Sequence, residues 1–175
     1  AVVEWSSPTA GGNQGMVGLT DSRLTVDHSY FDHAERRRIR SQGSSLVVRN
    51  SIFAGIFAPG AAPSTDNLSE HIWGGGVPAG GQFIAENNYF GRSAGHNDAI
   101  DFDSSFDPAG PRAQILNNFF AGGGDDATDM LGYVHIERNV FVNNHKDEFN
   151  LDPGQSNVNS SSSGGYTSVR NVYYN

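Results

Sequence analysis

The chain has 175 residues and a formal net charge of −8, and 37% of its residues are hydrophobic. Its length suits one domain with a sizeable core, which we assign to residues 1–175. The acidic balance argues against a nucleic-acid partner, and the absence of cysteine excludes disulfides and thiolate metal sites. No apolar run approaches the length of a membrane-spanning helix, so no membrane insertion is expected.

The 22 glycines, with frequent Asn and Ser, favour short strands and tight turns over helices. In chain order, six segments share one pattern: "LTVDHSYF", "LVVRNSIF", "FIAENNYF", "AQILNNFF", "VHIERNVF" and "YTSVRNVY". Apolar residues alternate within the segments, which is a strand period. Each segment ends in an aromatic residue: Phe31, Phe53, Phe90, Phe120, Phe141 and Tyr173. Two residues before each ring stands a Ser or an Asn: Ser29, Ser51, Asn88, Asn118, Asn139 and Asn171.

A meander of hairpins would not need the same Asn and the same ring in every unit, whereas stacked coils would. Coils about 4.8 Å apart place equivalent residues in columns. We therefore expect the Asn column to form hydrogen bonds along the stack and the aromatic column to fill the interior, both as scaffold. The unequal intervals between rings then mark loop insertions near 57–82 and 152–166.

The repeated "RNSIF", "ENNYF", "LNNFF", "RNVF" and "RNVYY" resemble the repeats of the pectate-lyase-like superfamily, from about Ser22 to Tyr174. The resemblance implies an all-β, right-handed parallel β-helix (solenoid) of about six coils. This superfamily includes polysaccharide lyases, glycoside hydrolases, epimerases, phage tailspikes, adhesins and modules of large secreted bacterial proteins. An uncapped stack exposes strand edges, so we expect a module of a longer chain, or flanking domains or partner chains that cover the ends.

The same alignment stacks the charged phrases "GHNDAIDFD", "GGDDATDM" and "HKDEFNLD". Asp98, Asp126 and Asp147 then share one column, with Glu70 and Arg37 in the coils before them. The column two residues on is expected to face the interior: Ile39, Ile72, Ile100, Thr128 and Phe149. Strand alternation turns the next column outward: Arg40, Trp73, Asp101, Asp129 and Asn150.

Carboxylates one coil apart repel each other by about 3.5 kcal/mol at an effective dielectric of about 20, and by less than about 1 kcal/mol in water. Where water is partly excluded, a proton, an Arg or a hard cation must compensate. Ca²⁺ suits carboxylates clustered at irregular turns, and the candidate ligands are Asp98, Asp101, Asp125, Asp126, Asp129 and Asp147. The alternative is that these aspartates cap turns by accepting hydrogen bonds from backbone N–H groups.

The histidines fit a transition-metal site poorly. His96 and His145 take the same place in their units, but a separation of about 9.6 Å is too large for them to share one ion. Both are instead candidates for substrate binding. The remaining histidines are expected on the surface or in turns: His28, His33, His71 and His135.

The first coil contains the basic run "AERRRIRSQ" where later coils carry acid. We expect Arg37 to pair with Glu70, because the surrounding chain is acidic. The alternative is an anion site for uronate or sulfate groups, since a guanidinium binds carboxylates bidentately. In that interpretation Arg38 contacts the substrate, and Trp73 is the platform for a sugar ring.

For a lyase, the resemblance implies a basic residue that abstracts the proton next to a uronate carboxylate, while Ca²⁺ or Arg neutralises that carboxylate. The candidates are Lys146, Arg37 and Arg40. Lys146 is the only lysine in the chain, and its acidic neighbours make a solvated turn lysine the alternative. Of the polygalacturonase signatures, the chain contains "DD", at Asp125 and Asp126, but neither "GHG" nor "RIK" follows.

The expected function is that of an extracellular or cell-surface module that binds an acidic polysaccharide or cleaves it by β-elimination, with Ca²⁺ as cofactor. The competing expectation is a non-catalytic structural or adhesive module of a large secreted protein. Repeats that only build the scaffold are compatible with either function, because binding or catalytic residues would then lie in the loops and on the outer faces.

Overall fold

The computed structural model describes residues 2–3, 15–32, 37–56, 70–93, 97–105, 107, 109–122, 126–142, 158–159 and 166–174. These residues contain no helix, and so none that could cross a membrane. Their strands form three sheets in which every pairing is parallel. The chain visits the sheets in rotation, so the predicted parallel β-helix is confirmed.

Strands are numbered in chain order. The first sheet holds β2 (Val17–Thr20), β5 (Ile39–Gln42), β8 (Ile72–Gly75), β11 (Ile100–Asp103), β14 (Thr128–Leu131) and β17 (Val158–Asn159). The second sheet holds β3 (Arg23–Asp27), β6 (Ser45–Arg49), β9 (Phe83–Glu86), β12 (Ala113–Leu116), β15 (Val134–Glu137) and β18 (Tyr166–Val169). The third sheet holds β1 (Val2–Val3), β4 (Tyr30–Phe31), β7 (Ile52–Phe53), β10 (Tyr89–Phe90), β13 (Phe119–Phe120), β16 (Val140–Val142) and β19 (Val172–Tyr174). Because β1 pairs with β4, the stack extends to the N-terminal side of the predicted start at Ser22.

The turn from the second sheet to the third sheet has two residues in each described coil, as at Asn117 and Asn118. The second residue forms the predicted Ser/Asn column. The Oδ1 of Asn118 accepts both the backbone N–H of Asn88, at 2.9 Å, and its side-chain amide, at 3.0 Å. The Nδ2 of Asn118 donates to the Ala85 carbonyl at 2.9 Å and to Asn139 Oδ1 at 3.0 Å. The predicted hydrogen bonding along this column, the Asn ladder, is confirmed.

The first residue of the same turn adopts a left-handed backbone conformation. Its φ lies between 48° and 56° at His28, Asn50, Asn87, Asn117, Arg138 and Arg170. This region costs a non-glycine residue about 1–2 kcal/mol, and Asn tolerates it better than most. The hydrogen bonds of the following Ser or Asn offset that cost, which keeps the turn tight without glycine.

The aromatic column lies inside the stack, along the third sheet. Successive rings stack with centroids 4.6–5.0 Å apart, in the order Phe31, Phe53, Phe90, Phe120, Phe141 and Tyr173. The five phenylalanines are buried, and burial of each side chain stabilises the fold by about 1.5–3 kcal/mol. The prediction that these rings fill the interior is confirmed for the five phenylalanines, whereas Tyr173, in the last described coil, is 46% exposed.

Connections from the third sheet to the first sheet differ in their number of residues, and the longest of those between described strands joins β7 to β8. The segment predicted as a loop near 57–82 is therefore not a single loop, because β8 lies within it. Ile72 is fully buried and its strand pairs with both neighbouring coils, so backbone bonds and burial favour an extended chain there. Residues 57–69 lie outside the described part of the chain.

The sequence alignment of the coil after β14 is wrong. Thr128 pairs with Val158, the first residue of β17, where the sequence alignment placed Phe149. Asp147, Phe149 and Asn150 themselves lie outside the described residues. Strand β17 lies within the loop predicted near 152–166. The alignment chose Phe149 because an apolar residue matched the buried column, whereas parallel strands pair through backbone groups, which the sequence pattern does not identify.

Replacement of Asn118 by Ala is expected to lower the free energy of unfolding by about 3 kcal/mol, because it leaves several buried polar groups without partners. Urea unfolding followed by circular dichroism would measure this loss. The control is Gln114→Ala, a half-exposed amide on the outer side of β12. Equal, small losses in both variants would contradict a stabilising role for the Asn ladder.

Candidate functional site

The outer side of the first sheet carries a row of four half-buried side chains from adjacent strands. Arg40, Trp73, Asp101 and Asp129 are paired in register in that order. Their outward direction follows from strand alternation, because the preceding residue on each strand is fully buried. We call these four residues the outer row. The sequence prediction of the row is confirmed, and Asn159 takes the place expected for Asn150.

A buried ion pair lies behind the outer row. Arg37 Nε donates to Glu70 Oε2 at 2.6 Å, and its Nη2 donates to Oε1 at 3.3 Å. Both side chains are at most 6% exposed. The guanidinium carbon of Arg37 also lies 4.0 Å from the ring centroid of Trp73. The expected pairing is confirmed, and the pair fixes the indole from one side by a cation–π contact.

Arg40 stands beside the indole at one end of the outer row. Its guanidinium carbon is 5.8 Å from the ring centroid of Trp73, and its Nη2 donates to Gln42 Oε1 at 3.1 Å. The side chain is half-buried and remains at the surface. An anion bound at this point would meet a guanidinium next to an aromatic ring, which is a common environment for recognition of acidic groups.

Asp101 has the most perturbed carboxyl group of the outer row. Burial, followed by the negative charges of Glu70, Asp129 and Asp103, raises the pKa of Asp101 to about 7, although Arg37 opposes this shift. Burial also raises the pKa of Asp103, which lies on the same strand. A carboxyl group that holds its proton near neutral pH can act as a hydrogen-bond donor and as a general acid.

The turn that precedes the first sheet contains Asp98 and Asp126 in neighbouring coils. Asp98 Oδ1 accepts the backbone N–H of Asp126 at 2.9 Å, as in the turn-capping interpretation. Asp126 is buried. No three His, Asp or Glu side chains come together as a potential metal site among the described residues. Asp125 and Asp147 lie outside them, so calcium binding stays a prediction.

Arg38 and His71 lie inside the stack rather than at its surface. Arg38 is fully buried, and its guanidinium contacts His71 Nδ1 at 3.2 Å and donates to the Ala54 carbonyl at 2.8 Å. His71 Nε2 donates to the Gly91 carbonyl at 2.6 Å. Burial and the charge of Arg38 lower the pKa of His71 to about 3, so its ring is neutral.

These contacts keep Arg38 away from a ligand on the outer face. His71 lies in the turn before β8, one of the two expected positions, but it is buried and not at the surface. Polar side chains are seldom fully buried, and here distant backbone carbonyls supply the partners that make burial possible. His28 and His135 are at the surface as expected, with 78% and 30% of their side chains exposed. Lys146, His96, His145 and His33 lie outside the described residues.

One surface feature was missed by the sequence analysis. The units "NNYF" and "NNFF" end in two aromatic residues, and alternation forces the first ring of each pair outward. Tyr89 and Phe119 are therefore exposed on the third sheet, at 42% and 39%. The two consecutive aromatic residues in each unit were the sequence feature that could have predicted this exposed pair.

Replacement of Asp101 by Asn is expected to change how stability depends on pH. The unfolded carboxyl has a pKa near 3.9, so between about pH 4 and pH 7 ionisation favours the unfolded chain and wild-type stability falls as pH rises. The variant loses this component. Its free energy of unfolding relative to wild type should therefore rise by at least about 1.4 kcal/mol from pH 4 to pH 8, the value of one pKa unit.

Urea unfolding at both pH values provides the measurement. Asp27→Asn is the matched control, because hydrogen bonds from Asn50 and Arg49 lower the pKa of Asp27, so that this carboxyl titrates below about pH 4 and its replacement should have nearly the same effect at pH 4 and pH 8. A difference between Asp101→Asn and wild type that does not vary with pH would contradict the raised pKa.

Comparison of the chain with protein-family models, with characterised proteins and with solved structures finds no match. The parallel β-helix and the chemistry of the outer row are therefore the grounds on which a function can be argued.

Proposed function

We propose that the outer face of the first sheet binds an extended acidic polysaccharide and cleaves its glycosidic bonds. The observation that carries this proposal is the outer row itself: a guanidinium, an indole and two carboxyl groups on four adjacent strands. Three strand spacings amount to roughly 14 Å, enough to contact successive units of one polymer lying along the stack.

Binding is assigned to Arg40 and Trp73. The indole offers an apolar face to a sugar ring, and the half-buried guanidinium offers paired N–H donors to a uronate carboxylate. Arg37 supports the indole from behind, so Trp73 is held in place before the ligand arrives. Such preorganisation lowers the entropic cost of binding. Arg37 serves here as a positioning residue and not as a base, since its guanidinium is paired with Glu70.

Cleavage is assigned to Asp101 and Asp129. Protonated Asp101 can donate its proton to the oxygen of the glycosidic bond, while the carboxylate of Asp129 activates water or attacks the anomeric carbon. The pairing of Asp101 with Asp129 on neighbouring strands supports this assignment. This hydrolytic scheme uses the raised pKa of Asp101, which a site built only for binding would not need.

β-Elimination is the second candidate reaction, and the position of Arg40 favours it. Of the two basic candidates in the described part of the chain, Arg40 is at the outer face, whereas Arg37 is buried in its ion pair. Lys146 lies outside that part. The resemblance to the pectate-lyase-like superfamily supports this chemistry as well. Ca²⁺ would require more oxygen ligands than Asp101 and Asp129 supply, and the described residues hold no larger cluster, so no step is assigned to the ion.

A non-catalytic module is the competing function, because the Asn ladder and the stacked rings account for the repeats without any activity. An acidic polysaccharide as partner would place the protein outside the cell or at its surface. Assays that measure binding and cleavage separately distinguish the catalytic function from the non-catalytic one.

Replacement of Asp101 by Asn is expected to reduce cleavage at least 100-fold, since general acid catalysis contributes about 10²–10⁴-fold. Purified protein is incubated with polygalacturonate and with alginate. New reducing ends report any cleavage, and ultraviolet absorbance of an unsaturated product distinguishes elimination from hydrolysis. Asp21→Asn, at an exposed turn position, is the matched control. Unchanged activity in Asp101→Asn would refute the assigned role, and inactive wild type on both polymers would favour the non-catalytic module.

Replacement of Trp73 by Ala is expected to weaken binding of polygalacturonate about tenfold or more, because it removes the ring that contacts the sugar. Trp73→Phe keeps an aromatic face and should retain most of the affinity. Titration calorimetry would measure both variants. If alanine and wild type bind equally, the polymer does not lie on the outer row.

A further inference from the structure

A column of apolar side chains runs along the outer side of the third sheet, on a different face from the outer row. Its members are paired in register on six successive strands: Tyr30, Ile52, Tyr89, Phe119, Val140 and Val172. Five of them are 39–57% exposed, and they make up most of the exposed large apolar side chains among the described residues. We call these six residues the apolar stripe. A continuous apolar surface of this kind marks a contact with another molecule more often than scattered exposed residues do.

The apolar stripe stands above the surface beside it. The next outward position in the middle of the sheet is occupied by Ala54, Gly91 and Ala121, and their backbone N–H groups continue the parallel pairing between coils. Small side chains therefore flank the larger ones of the stripe. Successive members of the stripe are one strand spacing apart, about 4.8 Å. A partner that fits the stripe along its whole length must present side chains with the same period.

A second copy of this chain has that period, and the order of residues in the stripe makes two copies complementary. Consider a two-fold axis that is parallel to the strands and passes between β10 and β13. It turns one stack end for end, so that Tyr89 of one copy lies beside the partner's Phe119, and Ile52 lies beside the partner's Val140. Every contact then occurs twice, as an isologous interface requires.

The amides beside the centre of the stripe fit the same arrangement. Arg138 Nε donates to Asn117 Oδ1 at 2.8 Å, which leaves Asn117 Nδ2 as a donor. Asn87 Nδ2 donates to Asn50 Oδ1 at 3.4 Å, which leaves Asn87 Oδ1 as an acceptor. Within the described residues neither remaining atom has another partner. The two-fold axis brings Asn117 of one copy opposite the partner's Asn87, so a donor meets an acceptor and both amides can lose their water.

Charge does not oppose this arrangement. The stripe itself is uncharged, and the turn residues beside it carry guanidinium groups only at Arg138 and Arg170, both of which donate to Glu137 Oε1. Antiparallel stacks place the arginines of the two copies at opposite ends of the interface. Stacks that ran in the same direction would not bring the two columns of turn residues together, because their axis would lie along the stack.

The exposed area suits a reversible dimer. About two fifths of each exposed stripe residue, from a side chain of roughly 200 Å², amounts to about 400 Å² per copy for the five residues together. With the flanking amides, two copies would cover about 1,000 Å² in total, which is near the lower limit of specific interfaces. We therefore expect dissociation in the micromolar range rather than a permanent dimer.

Other occupants fit this face less well. A peptide that adds a strand needs free backbone groups at a sheet edge, but β7, β10 and β13 are already paired on both sides. A sugar ring packs on a flat aromatic face. Tyr89 and Phe119 stack on each other, with centroids 5.6 Å apart and an interplanar angle of 9°, and so do not form one flat platform.

We infer that two copies of this chain associate through the apolar stripe with their stacks antiparallel, so that Phe119 of each copy packs beside the partner's Tyr89 and Asn117 of each copy donates to the partner's Asn87. The inference does not rest on the function proposed for the outer row, which lies on another sheet.

Sedimentation equilibrium from about 1 µM to about 200 µM protein tests the inference, because an interface of this size dissociates in that range. Wild type is expected to change from monomer to dimer as its concentration rises. Added salt should not weaken the dimer, since the contact is apolar and each copy carries a net charge of −8. Wild type that stays monomeric throughout the range would overturn the inference.

Replacement of Phe119 by Glu should raise the dissociation constant at least about tenfold, because it places a charge at the centre of the contact. Ile84→Glu is the matched control, since Ile84 is a half-exposed apolar residue facing outward from the second sheet. It should dimerise like wild type. Thermal melting followed by circular dichroism verifies that both variants fold. Dimers that Phe119→Glu leaves intact, or that Ile84→Glu abolishes, would assign the contact to another face and overturn the inference.

A mixture of two variants tests the antiparallel arrangement. Tyr89→Lys alone should dimerise poorly, like Phe119→Glu alone. Mixed together they should form a heterodimer, because the introduced carboxylate then lies beside the introduced ammonium group. Failure of the mixture to dimerise better than either variant would refute the proposed pairing of Tyr89 with the partner's Phe119.

Discussion

Hydrogen bonding at the turn between the second and third sheets fixes the register of every coil. A buried amide such as that of Asn118 connects three successive coils, because it accepts from Asn88 and donates to Asn139 as well as to the Ala85 carbonyl. A shift of one residue would leave all of these groups unpaired in the interior, at about 1–3 kcal/mol each. The left-handed residue before it can be tolerated because these bonds define the path of the chain.

Register at this turn also determines what lies side by side on the other sheets. Arg40, Trp73, Asp101 and Asp129 are far apart in the sequence, yet each follows a buried residue whose place in the stack is set by the coil. Alignment of like charges is then unavoidable. Three local features reduce the repulsion: the Arg37–Glu70 pair, the contact of Asp98 with a backbone N–H group, and the raised pKa of Asp101.

Much of this arrangement could be predicted because its causes are repeated in the sequence. The Ser or Asn followed two residues later by a ring identifies the turn, and alternation around Ile39, Ile72 and Ile100 identifies the inward and outward columns. Val158 could not be found in this way, because Phe149 fitted the apolar pattern better and only backbone pairing distinguishes them. Burial of Arg38 and His71 depends on carbonyls from other coils. The proton affinity of Asp101 depends on several charges at once, which no single motif encodes.

The connections between the second and third sheets differ in role from the connections that lead from the third sheet into the first. The turn from the second sheet to the third sheet keeps two residues throughout the described coils, while the connections into the first sheet vary freely in length. Because loop closure becomes only slowly more costly as a loop lengthens, insertions in the variable connections leave the register of the stack intact. Insertions or deletions in these connections can therefore change the loops around the outer row, one coil at a time, without changing the strand pairing of the stack.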